Sequence, residues 1–242
     1  MAGVRTQLAR GKRKATRSWY QLLDALLDSD RAWQYTYRLN GLHTADYRFQ
    51  PDQIMFVHLP KTGGTTFAKV FEAAPEGLFA HLHIHKAVSK HCPPGTFRYI
   101  TTMRNPVDRV WSQYQHVLRY PEGADYRKFA LRGLETFLQK CPAVRNYAVQ
   151  YYAANMNGAP DEHVLRQAQH NLAQFETVID FRNIATEITV LAERLKVPCN
   201  LVPNERKASY AGPTAAERAL IVQYNALDLK LYETWEAGLA ST

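Results

Sequence analysis

A chain of 242 residues, 46% hydrophobic and 21% charged, has the make-up of one globular domain with appendages, and it can bury a full core without disulfide or metal staples. Its net charge of +8 favours anionic partners such as nucleotides, sulfated or uronic glycans, nucleic acid or an anionic membrane surface. The cysteines, Cys92, Cys141 and Cys199, are odd in number and form no CxxC pair, which argues against a disulfide framework or a cysteine zinc cluster and for a reducing, cytoplasmic location.

Residues 1–17 are polar and basic, and no apolar run follows them, so neither a signal peptide nor a membrane-spanning anchor is expected. The tail reads first as a solvated arm, with weak contact to an anionic membrane surface as its functional alternative. In residues 18–39, Trp19, Leu22, Leu23, Leu26 and Leu27 keep helical spacing, which gives one or two helices. The boundary is set near residue 50, with a basic tail and helical extension over 1–50 and the main domain over 51–242.

The main domain opens on Ile54-Met55-Phe56-Val57, a short apolar run before a glycine loop, which predicts a buried strand. A helix is expected over 65–74, and strands over 78–84 and 97–103. Asn105-Pro106 starts the next helix: Asn is a good N-cap, Pro fits the first helical position, and Asp108 suits the helix dipole. Val107, Val110, Trp111, Tyr114, Val117 and Leu118 form its apolar face. Residues 134–172 read as helical, 175–181 as a strand, 183–195 as a helix and 197–202 as a last short strand. Two helices over 214–235 close the chain. Strands alternating with helices predict an α/β fold, P-loop-like and three-layered, with a central, mostly parallel sheet flanked by helices.

The loop His58-Leu59-Pro60-Lys61-Thr62-Gly63-Gly64-Thr65-Thr66 lies between a strand and a helix. Such a loop can present backbone N–H groups to a phosphate. Gly63 and Gly64 would let the backbone approach the anion, Thr62, Thr65 and Thr66 would add hydroxyl donors, and Lys61 a positive charge. The loop lacks the Gly-Lys-Ser/Thr of a Walker A motif, which weakens an ATP kinase reading. A second anion site is expected from Arg104, at a strand end, and Ser112, two helical turns beyond Asn105.

FVHLPKTGGTTF and RNPVDRVWSQY resemble the two donor-binding motifs of the carbohydrate sulfotransferases, of the type that includes heparan sulfate 2-O-sulfotransferase. That family uses 3′-phosphoadenosine 5′-phosphosulfate (PAPS) and releases 3′,5′-adenosine bisphosphate (PAP). The resemblance implies that Pro60, Lys61, Thr62, Gly63, Gly64, Thr65 and Thr66 hold the 5′-phosphosulfate, and that Arg104 and Ser112 hold the 3′-phosphate. It covers roughly residues 53 to 235. It also implies a hydroxyl acceptor, first of all a glycan or a glycolipid, with a small secondary metabolite as the open alternative.

Sulfuryl transfer needs a base for the acceptor hydroxyl, stabilisation of the leaving phosphate, and two oxygens in line. Lys61 is the candidate for the leaving oxygen. His81, His83 and His85 alternate along one predicted strand, and neutral histidine is a natural base near neutral pH. His81-Leu82-His83 is similar to a His-Gly-His of some family members, which favours His83 as base with His81 beside it. Arg206 and Lys207, in a late basic loop, are further expected donor contacts. Arg145, Asn146 and Gln150 are placed at the acceptor from their position alone. No metal site is expected. The alternatives are an ATP-dependent phosphotransferase and a non-catalytic polyanion-binding protein, and no nucleic-acid motif supports a nucleic-acid partner.

Overall fold

Every side chain of strand β1 (Ile54–Val57) is buried, as a short apolar run must be when both faces of its sheet are covered. The computed structural model describes residues 53–75, 77–84, 98–119, 126–153, 155, 159–199 and 210–239. The expected N-terminal helices lie outside these residues. Strand β1 pairs in parallel with β2 (Phe79–Ile84) on one side and with β3 (Arg98–Met103) on the other. β3 pairs in parallel with β4 (Thr177–Asp180), which gives a four-stranded parallel sheet in the order β2-β1-β3-β4. The β1–β3 ladder runs in continuous register, whereas β1–β2 is irregular at two points.

Alternation along the strands sends side chains to two packed faces. Ile54, Phe56, Ile100 and Ile179 meet helix α1 (Gly64–Val70) and a later helix over Ile184–Leu195. Phe67 of α1 stacks on Phe56 with ring centroids 3.7 Å apart. Across the sheet, Tyr99 stacks on Phe175, and the Thr101 hydroxyl meets the Tyr152 hydroxyl at 3.0 Å. The structure is therefore mixed α/β, with a small parallel sheet flanked by helices.

Helix α2 (Pro106–Arg119) follows β3 and starts as its sequence dictates: Asn105 Oδ1 accepts the Val107 N–H at 3.0 Å. Its apolar face joins α3 (Arg127–Ala130), α4 (Leu134–Lys140) and α8 (Ala215–Tyr224) in a second core built on Val110, Phe137, Leu138 and Ile221. Between them run α5 (Tyr147–Tyr152) and α6 (Glu162–Leu172). α7 (Ile184–Leu195) follows β4, and α9 (Ala226–Leu239) ends the described chain. The capping box at the start of α8 is complete, with Thr214 and Glu217 each accepting from the other's backbone N–H.

The strand expected over 197–202 is not formed at Val197, Pro198 and Cys199, and the rest of that span lies outside the described residues. Lys196 takes a left-handed conformation that ends α7, and the Val197 N–H is taken by the Ala192 carbonyl at 2.9 Å. Pro198 has no N–H to give a ladder. Val197 instead buries its side chain in the core under α7.

Candidate functional site

The loop after β1 is held by two left-handed residues, Lys61 (φ 71°) and Gly63 (φ 91°). A lysine in that region costs roughly 1–3 kcal/mol, and such strain concentrates at functional loops. Thr62, between them, is fully buried. Its hydroxyl donates to the Leu59 carbonyl at 2.7 Å and lies 2.6 Å from the Thr102 hydroxyl. The expected role of Thr62 as a hydroxyl donor to a ligand is thereby corrected: its one proton goes to the Leu59 carbonyl and the Thr102 hydroxyl donates to it, which ties the loop to itself and to the end of β3. Thr65 is exposed and Thr66 half-buried, both in the first turn of α1. Thr66 and Phe67 donate to the Gly63 carbonyl, so the Gly64 and Thr65 amides precede the helix's own hydrogen-bond ladder.

The two glycines answer to protein neighbours as well as to any anion. A Cβ on Gly64 would come within 2.1–2.3 Å of three ring atoms of His58, which is buried and lies nearly parallel to Phe56. A Cβ on Gly63 would collide with Ile184 and come 3.1 Å from the Phe181 ring. The loop is therefore pressed between the end of β1 and the corner where β4 enters α7. Tyr151 adds a clamp from α5, its hydroxyl donating to the His58 carbonyl at 3.0 Å.

Arg104, half-buried at the end of β3, reaches across this edge of the sheet. Its Nη1 donates to the Lys61 carbonyl at 3.0 Å, and its guanidinium carbon lies 4.3 Å from the centre of the Phe181 ring. Burial lowers its pKa, and a hydrogen bond with the Tyr210 hydroxyl works the other way. It touches the loop after β1, the corner after β4 and the segment at Tyr210. β2 lies on one side of β1 and β3 on the other, so the connections after β1 and β3 diverge at their carboxyl ends. Open parallel sheets bind ligands in such a crevice.

Beside Arg104 opens a cavity of about 400 Å³ lined by Arg104, Asn105, Asp108, Phe181, Arg182, Tyr232 and Glu236. It holds two arginines and two carboxylates against aromatic walls. Arg182 is held by Asp180 and Glu236, and Asp180 also accepts the Arg182 backbone N–H at 2.9 Å. Lys61 and the residues from Thr62 to Thr66 do not line this cavity. Nor does Ser112, which is buried on α2 one turn past Asp108. Pro60 is half-buried ahead of Lys61.

Asn146 and Gln150 do not reach outward to an acceptor. Asn146 Oδ1 accepts the backbone N–H groups of Leu227 and Asp228, at 2.9 and 3.2 Å, and so receives the start of α9. Gln150 donates to the Arg145 carbonyl at 3.2 Å. In place of the expected acceptor contacts, Asn146 joins α5 to the first amides of α9, which have no partners within their own helix, and Gln150 is tied to the backbone just ahead of α5. Arg145 precedes α5 close to Cys141, whose thiol burial pushes up to about 11.

His81 and His83 fall in the backbone of β2, next to β1 in the sheet, and their side chains lie outside the described residues. His85, Arg206 and Lys207 lie wholly outside them.

Sequence reading missed His58, Phe181 and the buried Arg109–Asp228 pair. Arg109 lies 3.6 Å from the Asp228 carboxylate, and both are sealed from solvent. Asp228 also accepts from the Ala148 and Val149 amides, at 3.1 and 2.9 Å. Burial raises the Asp228 pKa, opposed by Arg109 and by these amides. The available signal was the charge of Arg109 on the apolar side of α2, one position before Val110. Among described residues, no helix is long and apolar enough to cross a membrane. No protein-family model and no curated protein matches this chain.

Proposed function

We propose that this chain is a PAPS-dependent sulfotransferase of P-loop-like, three-layer fold that moves the sulfuryl group to a hydroxyl of a carbohydrate acceptor. The observation that carries the reading is the hydrogen bond from Arg104 Nη1 to the Lys61 carbonyl. It joins two motifs 43 residues apart in sequence at the crevice between β1 and β3. A donor with a phosphosulfate at one end and a phosphate at the other needs two such anion-binding elements side by side. A mononucleotide triphosphate needs only one.

In this reading the amides of Gly64 and Thr65, the Thr65 and Thr66 hydroxyls and the Lys61 ammonium receive the 5′-phosphosulfate. Arg104 receives the 3′-phosphate with its remaining donors, because a guanidinium carries five N–H groups. His83, or His81 beside it, takes the acceptor proton. The acceptor oxygen then bonds to sulfur as the bond from sulfur to the phosphate oxygen breaks. The electron pair leaves on PAP, where Lys61 balances it.

The test is thermal melting of the full chain with PAP and, separately, with ATP and magnesium. A ligand that binds only the folded state raises the melting temperature. PAP is expected to raise it and ATP–magnesium to leave it nearly unchanged. The reverse pattern overturns the proposal.

A further inference from the structure

The structure assigns Phe181 as the positioning residue that holds Arg104, the 3′-phosphate element, beside the loop after β1. This inference rests on the proposed donor site and names a residue of it that the motifs do not contain. The ring has Arg104 on one side, with the guanidinium carbon 4.3 Å from its centroid. Its edge packs against the loop glycine, so that a Cβ on Gly63 would come within 3.1–3.2 Å of the ring. One aromatic side chain thus contacts both the phosphate loop and the arginine at the end of β3, and it also lines the cavity beside them.

The ring is itself fixed from below. Asp180 is buried and accepts the Arg182 N–H at 2.9 Å, which closes the turn Phe181–Asn183 at the end of β4. The Asp180 N–H in turn donates to Glu187 Oε2 at 2.9 Å. Phe181 therefore leaves the sheet on a rigid corner. Arg104 otherwise has several rotatable bonds, restrained by the Lys61 carbonyl, by Tyr210 and by the charge of Asp108. A guanidinium held over an aromatic face keeps its N–H groups available for hydrogen bonds, as a phosphate requires.

The test is a calorimetric titration of the full chain with PAP and with adenosine 5′-phosphate, which lacks the 3′-phosphate. Phe181→Leu should weaken PAP on the order of tenfold and adenosine 5′-phosphate by clearly less, because the larger loss falls on the 3′-phosphate that Arg104 holds. Phe181→Tyr keeps the π face and should restore PAP binding. In an Arg104→Ala background, Phe181→Leu should cost nothing further. Wild-type affinity for PAP in Phe181→Leu, or full additivity of the two losses, overturns the assignment. If the wild type binds neither nucleotide, the donor reading fails, and the hold of Phe181 on Arg104 is then read from the Arg104 Nε–H by NMR. Slow exchange in the wild type and fast exchange in Phe181→Leu supports the assignment, and equal exchange overturns it.

Discussion

The ring of His58 occupies the space that a side chain at residue 64 would need. A glycine in a phosphate-binding loop is usually explained by close approach of the ligand. Here it is also required by a buried histidine immediately after β1. Gly64→Ala should therefore destabilise the fold by about 1–3 kcal/mol, as overpacking does, even without ligand. The double variant His58→Ala/Gly64→Ala should melt above the sum of the two single losses, because the clash is gone. Additive losses in a melting series would show that the two positions are not coupled.

The contrast between glycine and its neighbour bears on what can be read from a sequence. Gly63-Gly64 was legible as a place where the backbone must come close to something. What it comes close to was not, because His58, Phe181 and Ile184 reach it only through the tertiary fold. Helix α2 was legible to its first residue, since Asn105, Pro106 and Asp108 are local signals that packing does not override. Phe181 was invisible as a site residue. At the end of an apolar strand a phenylalanine reads as core, and only the position of Arg104 makes it more. Asn146 and Gln150 were placed from position alone, and their bonds depend on the tertiary fold and on the turn before α5: Asn146 satisfies the first amides of α9, and Gln150 donates to the carbonyls of Arg145 and Asn146.

Arg109→Ala should cost about 3–5 kcal/mol, because it leaves the buried Asp228 carboxylate without its counter-charge. Asp228 still has the Ala148 and Val149 amides, so the native fold is weakened rather than rearranged. Denaturant unfolding should show a lower midpoint at unchanged slope. A loss under 1 kcal/mol would mean that the pair contributes little.

Stability should fall on the acid side partly through Glu176. Hydrogen bonds from Arg98 at 2.7 and 3.0 Å are the main cause holding its carboxyl below the usual value, with Arg194 adding to them. A depressed pKa in the folded state means a stabilisation fully present above the unfolded value of about 4.3, and lost as pH falls through the folded value. Glu176→Gln should therefore lower stability near pH 7 by up to about 1 kcal/mol, since the pair lies at the surface. The two stability curves should converge below about pH 4. Parallel curves from pH 7 to pH 3 would remove Glu176 from the acid transition.

Lys61→Ala and His83→Ala should each lower turnover by about 10²-fold or more while PAP binding largely survives. Labelled sulfate transferred from PAPS to a glycan acceptor measures the first quantity, and calorimetry the second. Full activity in Lys61→Ala would remove its role at the leaving oxygen. Full activity in His83→Ala with loss in His81→Ala would move the base by one alternate position along β2.

The most direct measurement is the affinity of the wild-type chain and of Arg104→Ala for PAP, set beside ATP with magnesium. Saturable binding of PAP is expected, weakened roughly 10- to 100-fold in Arg104→Ala as a charged hydrogen-bonding group is lost. Binding of ATP–magnesium with none of PAP, or an Arg104→Ala variant that holds PAP as tightly as the wild type, would contradict the two-ended donor site.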